Sequence, residues 1–227
     1  MLPSTITIDG PVASGKSTIG YLLARRLGYL YLDTGAMYRA VTWAALARGV
    51  AGGAVAAVTP RAESRRIDVI PPTADDGRQY TVLADGEDVT WEIRRPEVDG
   101  TVSVVSAYAG VRRAMVAQQR RIAAAGQVVV VGRDIGSVVL PDADLKLYLD
   151  ASPQERARRR WLERRARGED VAYEEVLAMM IRRDEIDSHR AISPLRVPEG
   201  AVVIDTTGLT VEDVLAAVLR YVENADP

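Results

Sequence analysis

The chain has 227 residues, no cysteine and a single histidine, His189, with 29 Lys+Arg against 31 Asp+Glu for a net charge of −2. That length allows one substantial α/β core with room for a small inserted module. The absence of cysteine excludes disulfides, thiolate metal sites and cysteine nucleophiles, the single histidine argues against a histidine-built zinc site or a Ser/His/Asp triad, and the charge balance offers no general attraction to nucleic acid or anionic membrane.

The first predicted element is a strand at Thr5-Ile6-Thr7-Ile8, followed by Gly10-Pro11-Val12-Ala13-Ser14-Gly15-Lys16-Ser17 and then helical sequence from Thr18 to Leu27. The eight residues match G-x-x-x-x-G-K-[ST]. Strand, glycine loop and helix in that order make successive backbone N–H groups and a positive helix end converge on phosphate oxygens. Gly10 and Gly15 permit the close turn, Lys16 sets a point charge on the β/γ-phosphates, and the Ser17 hydroxyl suits Mg²⁺. Lysine occurs only at Lys16 and Lys146 in a chain otherwise supplied with arginine. A lysine in the glycine loop therefore stands out, because an ammonium acts on phosphate as a point charge and a guanidinium as a planar fork.

A second strand at Tyr29–Leu32 runs into Asp33-Thr34-Gly35 and a helix over Ala36–Ala47. Residues 49–59 are small and form a connection with a short helix. Between Arg66 and Thr90 the alternating runs around Asp85-Gly86 predict a small antiparallel insertion, flanked by Pro71 and Pro72 and seated on the main body outside the core. Helix returns from Pro96 to Ala125, with a break near Gly110. Val128–Val131 is a β-branched run suited to a strand buried on both faces, ending in Gly132-Arg133-Asp134. A strand at Leu145–Leu149, an arginine-rich helix at Ser152–Arg167, a helix at Tyr173–His189, a strand at Ala201–Ile204 and a helix at Val211–Val222 complete the chain.

Five buried strands alternating with helices predict an α/β fold: a doubly wound five-stranded parallel sheet around the phosphate loop. The small antiparallel insertion spans about residues 60–95, and an arginine-rich helical lid spans about 153–170. Ligands of such sheets lie beyond the carboxyl ends of the strands. Gly10–Ser17, Asp33-Thr34 and Arg133-Asp134 each follow a predicted strand and so should share one crevice. No apolar run reaches the roughly 20 residues of a membrane span, and the N-terminus has no signal-like pattern. These features predict a cytoplasmic chain.

Two helical constellations admit two readings each. Arg156, Arg159, Arg160, Arg164 and Arg167 recur at spacings of three and four, which fits a solvated face or a lid that brings arginines over transferring phosphates. Arg183, Asp187 and Arg190 also share a face, which fits a surface ion pair or a lining for a polar small molecule.

Several longer motifs resemble bacterial cytidylate kinases across essentially the whole chain. They are Asp33-Thr34-Gly35-Ala36-Met37-Tyr38-Arg39, Glu87-Asp88-Val89-Thr90 before Glu92-Ile93-Arg94, Gly132-Arg133-Asp134-Ile135-Gly136, and the run from Arg183 to Leu195. The resemblance implies phosphoryl transfer from ATP, with Mg²⁺, to CMP or dCMP. It implies that the loop from Gly10 through Thr18 holds the donor. Lys16, Arg133 and the lid residues Arg156, Arg159 and Arg160 would attend the transferred group. Arg39 and Arg133 would hold the acceptor phosphate, and Ser103, Arg112 and Asp134 would read cytosine. Thr34, Arg183, Asp187 and Arg190 would complete the pocket around sugar and base.

The cytosine assignment agrees with elementary chemistry, since an exocyclic amino donor faces a carboxylate and the ring acceptors face an arginine. For Asp134, simple pairing with an arginine is the alternative. Asp33 fits either orientation of a Mg²⁺-bound water or the cap of the helix that follows. The chain departs from the family at Val12, where Ser is common and can touch the acceptor, so Arg39 and Arg133 should carry more of that contact. A monomer acting on small-molecule nucleotides, with no nucleic acid, membrane or obligatory protein partner, is the expectation.

Overall fold

The computed structural model describes residues 1–50, 55–189 and 194–225. Five strands, β1 (Thr5–Asp9), β2 (Leu30–Asp33), β6 (Val128–Val131), β7 (Leu145–Asp150) and β8 (Val202–Asp205), form a parallel sheet in the order β2-β6-β1-β7-β8. The expected doubly wound sheet is therefore present, with the phosphate loop leaving its middle strand. All four valines of β6 are buried, as a strand covered on both faces requires.

Helix α1 (Lys16–Leu27) starts two residues earlier than the sequence pattern suggests, because Gly15 turns directly into it with φ 94°. Gly10, at φ 146°, lets the chain leave β1 where a Cβ would sit 2.0 Å from the Leu149 carbonyl oxygen. Gly20 serves packing instead, since its Cβ would meet Val131 Cγ1 at 2.4 Å. Gly20→Ala should thus lower stability by about 2 kcal/mol, overpacking against a stiff buried valine outweighing the gain in helix propensity. A fall of roughly 4–8 °C in the thermal midpoint is the expected reading.

Helices α2 (Thr34–Leu46) and α5 (Ala109–Ala123) pack against the inserted sheet of β3 (Ile67–Ile70), β4 (Thr81–Ala84) and β5 (Glu87–Asp88), and α3 (Val55–Ser64) and α4 (Pro96–Val105) pack in turn on α2. That sheet is antiparallel and turns at Asp85-Gly86, both with positive φ. Its apolar face is not outside the core as expected. Ile67, Val69, Val82 and Ala84 belong to the same buried cluster as the main sheet, because alternation leaves one whole face to be covered. Gln118 of α5 fastens it further, accepting from the Ile67 N–H at 2.7 Å and donating to the Arg65 carbonyl at 2.7 Å. The predicted break near Gly110 lies earlier, at residues 106–108, and Gly110 is inside α5.

Helices α6 (Pro153–Ala166) and α7 (Tyr173–Ser188) pack on each other around Ala157, Val176 and Met180, and α8 (Val211–Glu223) closes the fold. Val12 and Ala13 of the phosphate loop pack against this second cluster. The residue that departs from the family pattern therefore acts as an apolar attachment between loop and helical pair. Among the described residues, no helix is long and apolar enough to cross a membrane.

Candidate active site

Loops after β1, β2 and β6 converge, with α4, α5 and α7, on a cleft of about 260 Å³. Its lining includes Val12, Ala13, Lys16, Ser17, Thr34, Arg39, Ser103, Arg112, Arg133, Asp134 and Arg183, with Asp33, Tyr38 and Tyr80. The fold thus gathers most of the residues singled out from sequence, from strand ends and helices far apart in the chain.

One end of the cleft is strongly positive. Lys16 donates from Nζ to the Pro11 carbonyl at 2.5 Å, and Arg133 donates to Asp187 at 3.2 Å. Burial and then the Arg133 guanidinium push the Lys16 ammonium down to about 7. Burial and then Arg183 bring Arg133 down to about 10, and burial lowers Arg183 as well. Three cations held this close disfavour one another's charge, and an anion between them would reverse the effect. Helix α1 begins here with neither a capping side chain nor an acidic residue in its first turn, so its N-terminal amides suit the same anion.

Another part of the lining suits a base. Arg112 and Asp134, both buried, form an ion pair through Arg112 Nη2, and Arg112 also donates to the Ser106 carbonyl at 3.3 Å. The guanidinium lies 5.5 Å from the Tyr38 ring centroid. Arg112 Nε and Arg183 Nε are both buried with no protein acceptor, although both residues line the cleft. The pairing considered as the alternative for Asp134 is present, and it lies on the cleft wall.

Other residues have definite partners. Asp33 accepts from the Gly35 N–H at 2.9 Å, capping α2, and the Tyr80 hydroxyl reaches its second oxygen at 3.4 Å. Burial raises the Asp33 carboxyl above its ordinary range. The Thr34 hydroxyl donates to the Val131 carbonyl at 2.9 Å. Arg39 pairs with Asp99 of α4 and donates to the Ile93 carbonyl at 3.3 Å. Asp187 is buried beside Arg133, whereas Arg190 lies outside the described residues.

The arginines of α6 do not line the cleft. Arg156 is buried behind the phosphate loop, forked onto Asp184 at 3.1 and 2.5 Å and donating to the Val12 carbonyl at 3.3 Å. Arg159 bonds Glu155 at 2.9 Å and Thr206 Oγ1 at 3.0 Å, and Arg160 pairs with Glu163 at 2.8 Å. Asp99 and Tyr80 were not picked out from sequence, and Tyr38 and Asp184 stood there only inside longer motifs, without a role. Spacing on a helix reveals a shared face but not the carboxylate or ring that meets it from another element.

Hard oxygen donors at Ser17 and Asp33 line the cleft beside the cationic end, while no cluster of three or more His, Asp or Glu forms a metal cage among the described residues. A Mg²⁺ ion that takes one or two protein oxygens and completes its shell from phosphate and water fits that donor set.

A glycine loop leaving the middle strand of a parallel sheet, a cationic anion seat and an adjoining polar pocket define a P-loop kinase. Shikimate kinase from Acinetobacter baumannii in complex with shikimate has a similar fold, with a TM-score of 0.50 and 18% identity, covering 98% of this chain and 94% of that one. The family model for cytidylate kinase matches residues 6–224. A cytidylate kinase of Herpetosiphon aurantiacus is 50% identical over 220 residues, 97% of this chain and 94% of the relative. One of Bacillus velezensis is 45% identical over 219 residues, 96% of each. The chain belongs to the cytidylate kinase family and is an enzyme.

Proposed function

We propose that the protein transfers the γ-phosphoryl group of ATP to the phosphate of CMP or dCMP, giving ADP and CDP or dCDP. The observation that carries this reading is that one cleft is lined both by the cations Lys16, Arg133 and Arg183, suited to phosphate, and by the buried Arg112–Asp134 pair, suited by donor and acceptor type to cytosine. An acceptor phosphate oxygen forms the new bond to the γ-phosphorus as the bond to the β-phosphate bridging oxygen breaks, and the electron pair leaves with ADP.

The attacking oxygen belongs to an ionised phosphate, so no general base is required. Alignment and neutralisation of charge supply the acceleration. Lys16 and the amides of residues 10–18 hold the donor. Arg39 and Arg133 hold the acceptor phosphate, and Ser103, Arg112 and Asp134 read the base. Thr34, Arg183, Asp187 and Arg190 complete the pocket. Bound at Ser17, Mg²⁺ would spread the charge of the donor phosphates.

Arg159 and Arg160 reach the transferred group as a lid built on α6, leaving Glu155, Thr206 and Glu163 on closure, while Arg156 holds the lid to the loop. ADP release from ATP and Mg²⁺ should depend strongly on CMP or dCMP and weakly on UMP or AMP. ADP release at the same rate without any acceptor would instead mark a slow nucleotide hydrolase.

A further inference from the structure

Asp9, the last residue of β1, is fully buried although it carries a carboxyl group. Its two oxygens accept from two consecutive backbone N–H groups, Ile135 at 2.7 Å and Gly136 at 2.7 Å. These begin the short helical turn Ile135–Val139, which directly follows Arg133 and Asp134. Asp134 occupies the cap position of that turn, yet its own side chain makes no capping bond. Aspartate at such a position ordinarily turns back onto the first amides. Here a residue from another strand satisfies them, and the Asp134 carboxylate is left to meet Arg112 on the wall of the cleft.

We infer that Asp9 is a positioning residue for acceptor recognition: by capping the Ile135–Val139 turn in place of Asp134, it holds Asp134 and Arg133 towards the acceptor. This rests on the acceptor-reading role proposed for Asp134 and Arg133. Several contacts support the coupling. Gly132 N–H donates to the Ile8 carbonyl at 3.1 Å, so the same loop is tied to β1 on both sides of Arg133. A Cβ on Gly136 would meet Thr7 Oγ1 at 2.9 Å, which keeps the turn close against the strand. Asp9 itself remains in register with Tyr148 of β7, so changing its side chain leaves the base of the phosphate loop in the sheet.

Asp9→Asn supplies the same shape but only one acceptor oxygen, and its amide N–H group opposes a backbone N–H. The orphaned donor should let Asp134 compete for the turn. The expected result is a rise of about tenfold in KM for CMP and a comparable narrowing of the CMP-to-UMP preference, with KM for ATP changed by less than about twofold. In an Asp134→Ala background, Asp9→Asn should cause no further loss of base preference, since neighbours acting through one contact are not additive. Asp9→Glu, which keeps the charge but displaces it, provides a second reading if Asp9→Asn folds poorly. It should leave KM for ATP within about twofold of wild type while raising KM for CMP and narrowing its preference over UMP, as Asp9→Asn does. If the wild-type enzyme turns over CMP while Asp9→Asn and Asp9→Glu keep its KM for CMP and its base preference, the positioning role is wrong. An equal rise in KM for ATP and CMP also overturns it. A wild-type enzyme inert towards CMP overturns the function proposed above instead.

Discussion

Lys16→Met should reduce kcat by about 100- to 1,000-fold, the loss seen when one preorganised donor to a developing negative charge is removed. Methionine keeps much of the side-chain length, so the loss reflects charge. Lys16 lies beside Pro11, Arg133 and Arg183 at the cationic end of the cleft, where burial and Arg133 push it down to about 7. A base with a depressed pKa loses its proton as pH rises through that value, so the free enzyme holds progressively more of Lys16 neutral as pH rises above about 7. A triphosphate brings opposite charge and restores the proton. ATP binding at pH 8 should therefore take up protons, read by calorimetry in two buffers of different ionisation heat, and Lys16→Met should remove most of that uptake. Full turnover in the variant, or equal uptake in both proteins, would place the key charge elsewhere.

Asp134→Ala should lower kcat/KM for CMP by roughly 10- to 100-fold, as expected for a lost hydrogen bond to a charged acceptor. ATP affinity should change little. The same change strands Arg112, whose guanidinium is buried against Asp134 and the Tyr38 ring, at a cost of about 3 kcal/mol in stability. Activity must then be compared well below the variant's lowered melting point. Preference separates the base-reading role from a merely structural pair. Uracil offers an acceptor where cytosine offers its amino donor, so removing the carboxylate should narrow the gap between CMP and UMP. An unchanged ratio with reduced stability would reduce Asp134 to the partner of Arg112.

Much of the fold was legible because its signals are local. Val128–Val131, short and wholly β-branched, suits a strand covered twice, the Asp85-Gly86 turn specifies a hairpin, and Gly10–Ser17 requires a strand before it and a helix after it. The placement of Lys16, Arg112, Arg133, Asp134 and Arg183 in one cleft followed from the rule for strand ends together with family motifs. What stayed hidden depends on pairs from separate elements. Arg156 reads as one more member of a basic helix, yet Asp184 of α7 and the Val12 carbonyl turn it inward. Val12 reads as a missing hydroxyl, whereas its packing with Ala157, Val176 and Met180 emerges only when α6 and α7 meet the loop. Asp9 looks like the end of an alternating strand, because the turn it caps lies on the far side of the chain.

The position of β1 at the middle of the sheet also bears on how the enzyme is made. Thr5 lies opposite Val128 and Ile6 opposite Leu145, so the strand that carries the phosphate loop waits for partners synthesised much later. Until they emerge, Ile6 and Ile8 have no sheet to join, and α1 has no surface on which to bury its apolar stripe. Such non-local pairing delays the reward for loop closure and slows folding. On the ribosome, the nascent N-terminal half should stay sensitive to proteases until β7 has cleared the exit tunnel. Nucleotide-binding competence should then appear abruptly rather than grow with chain length.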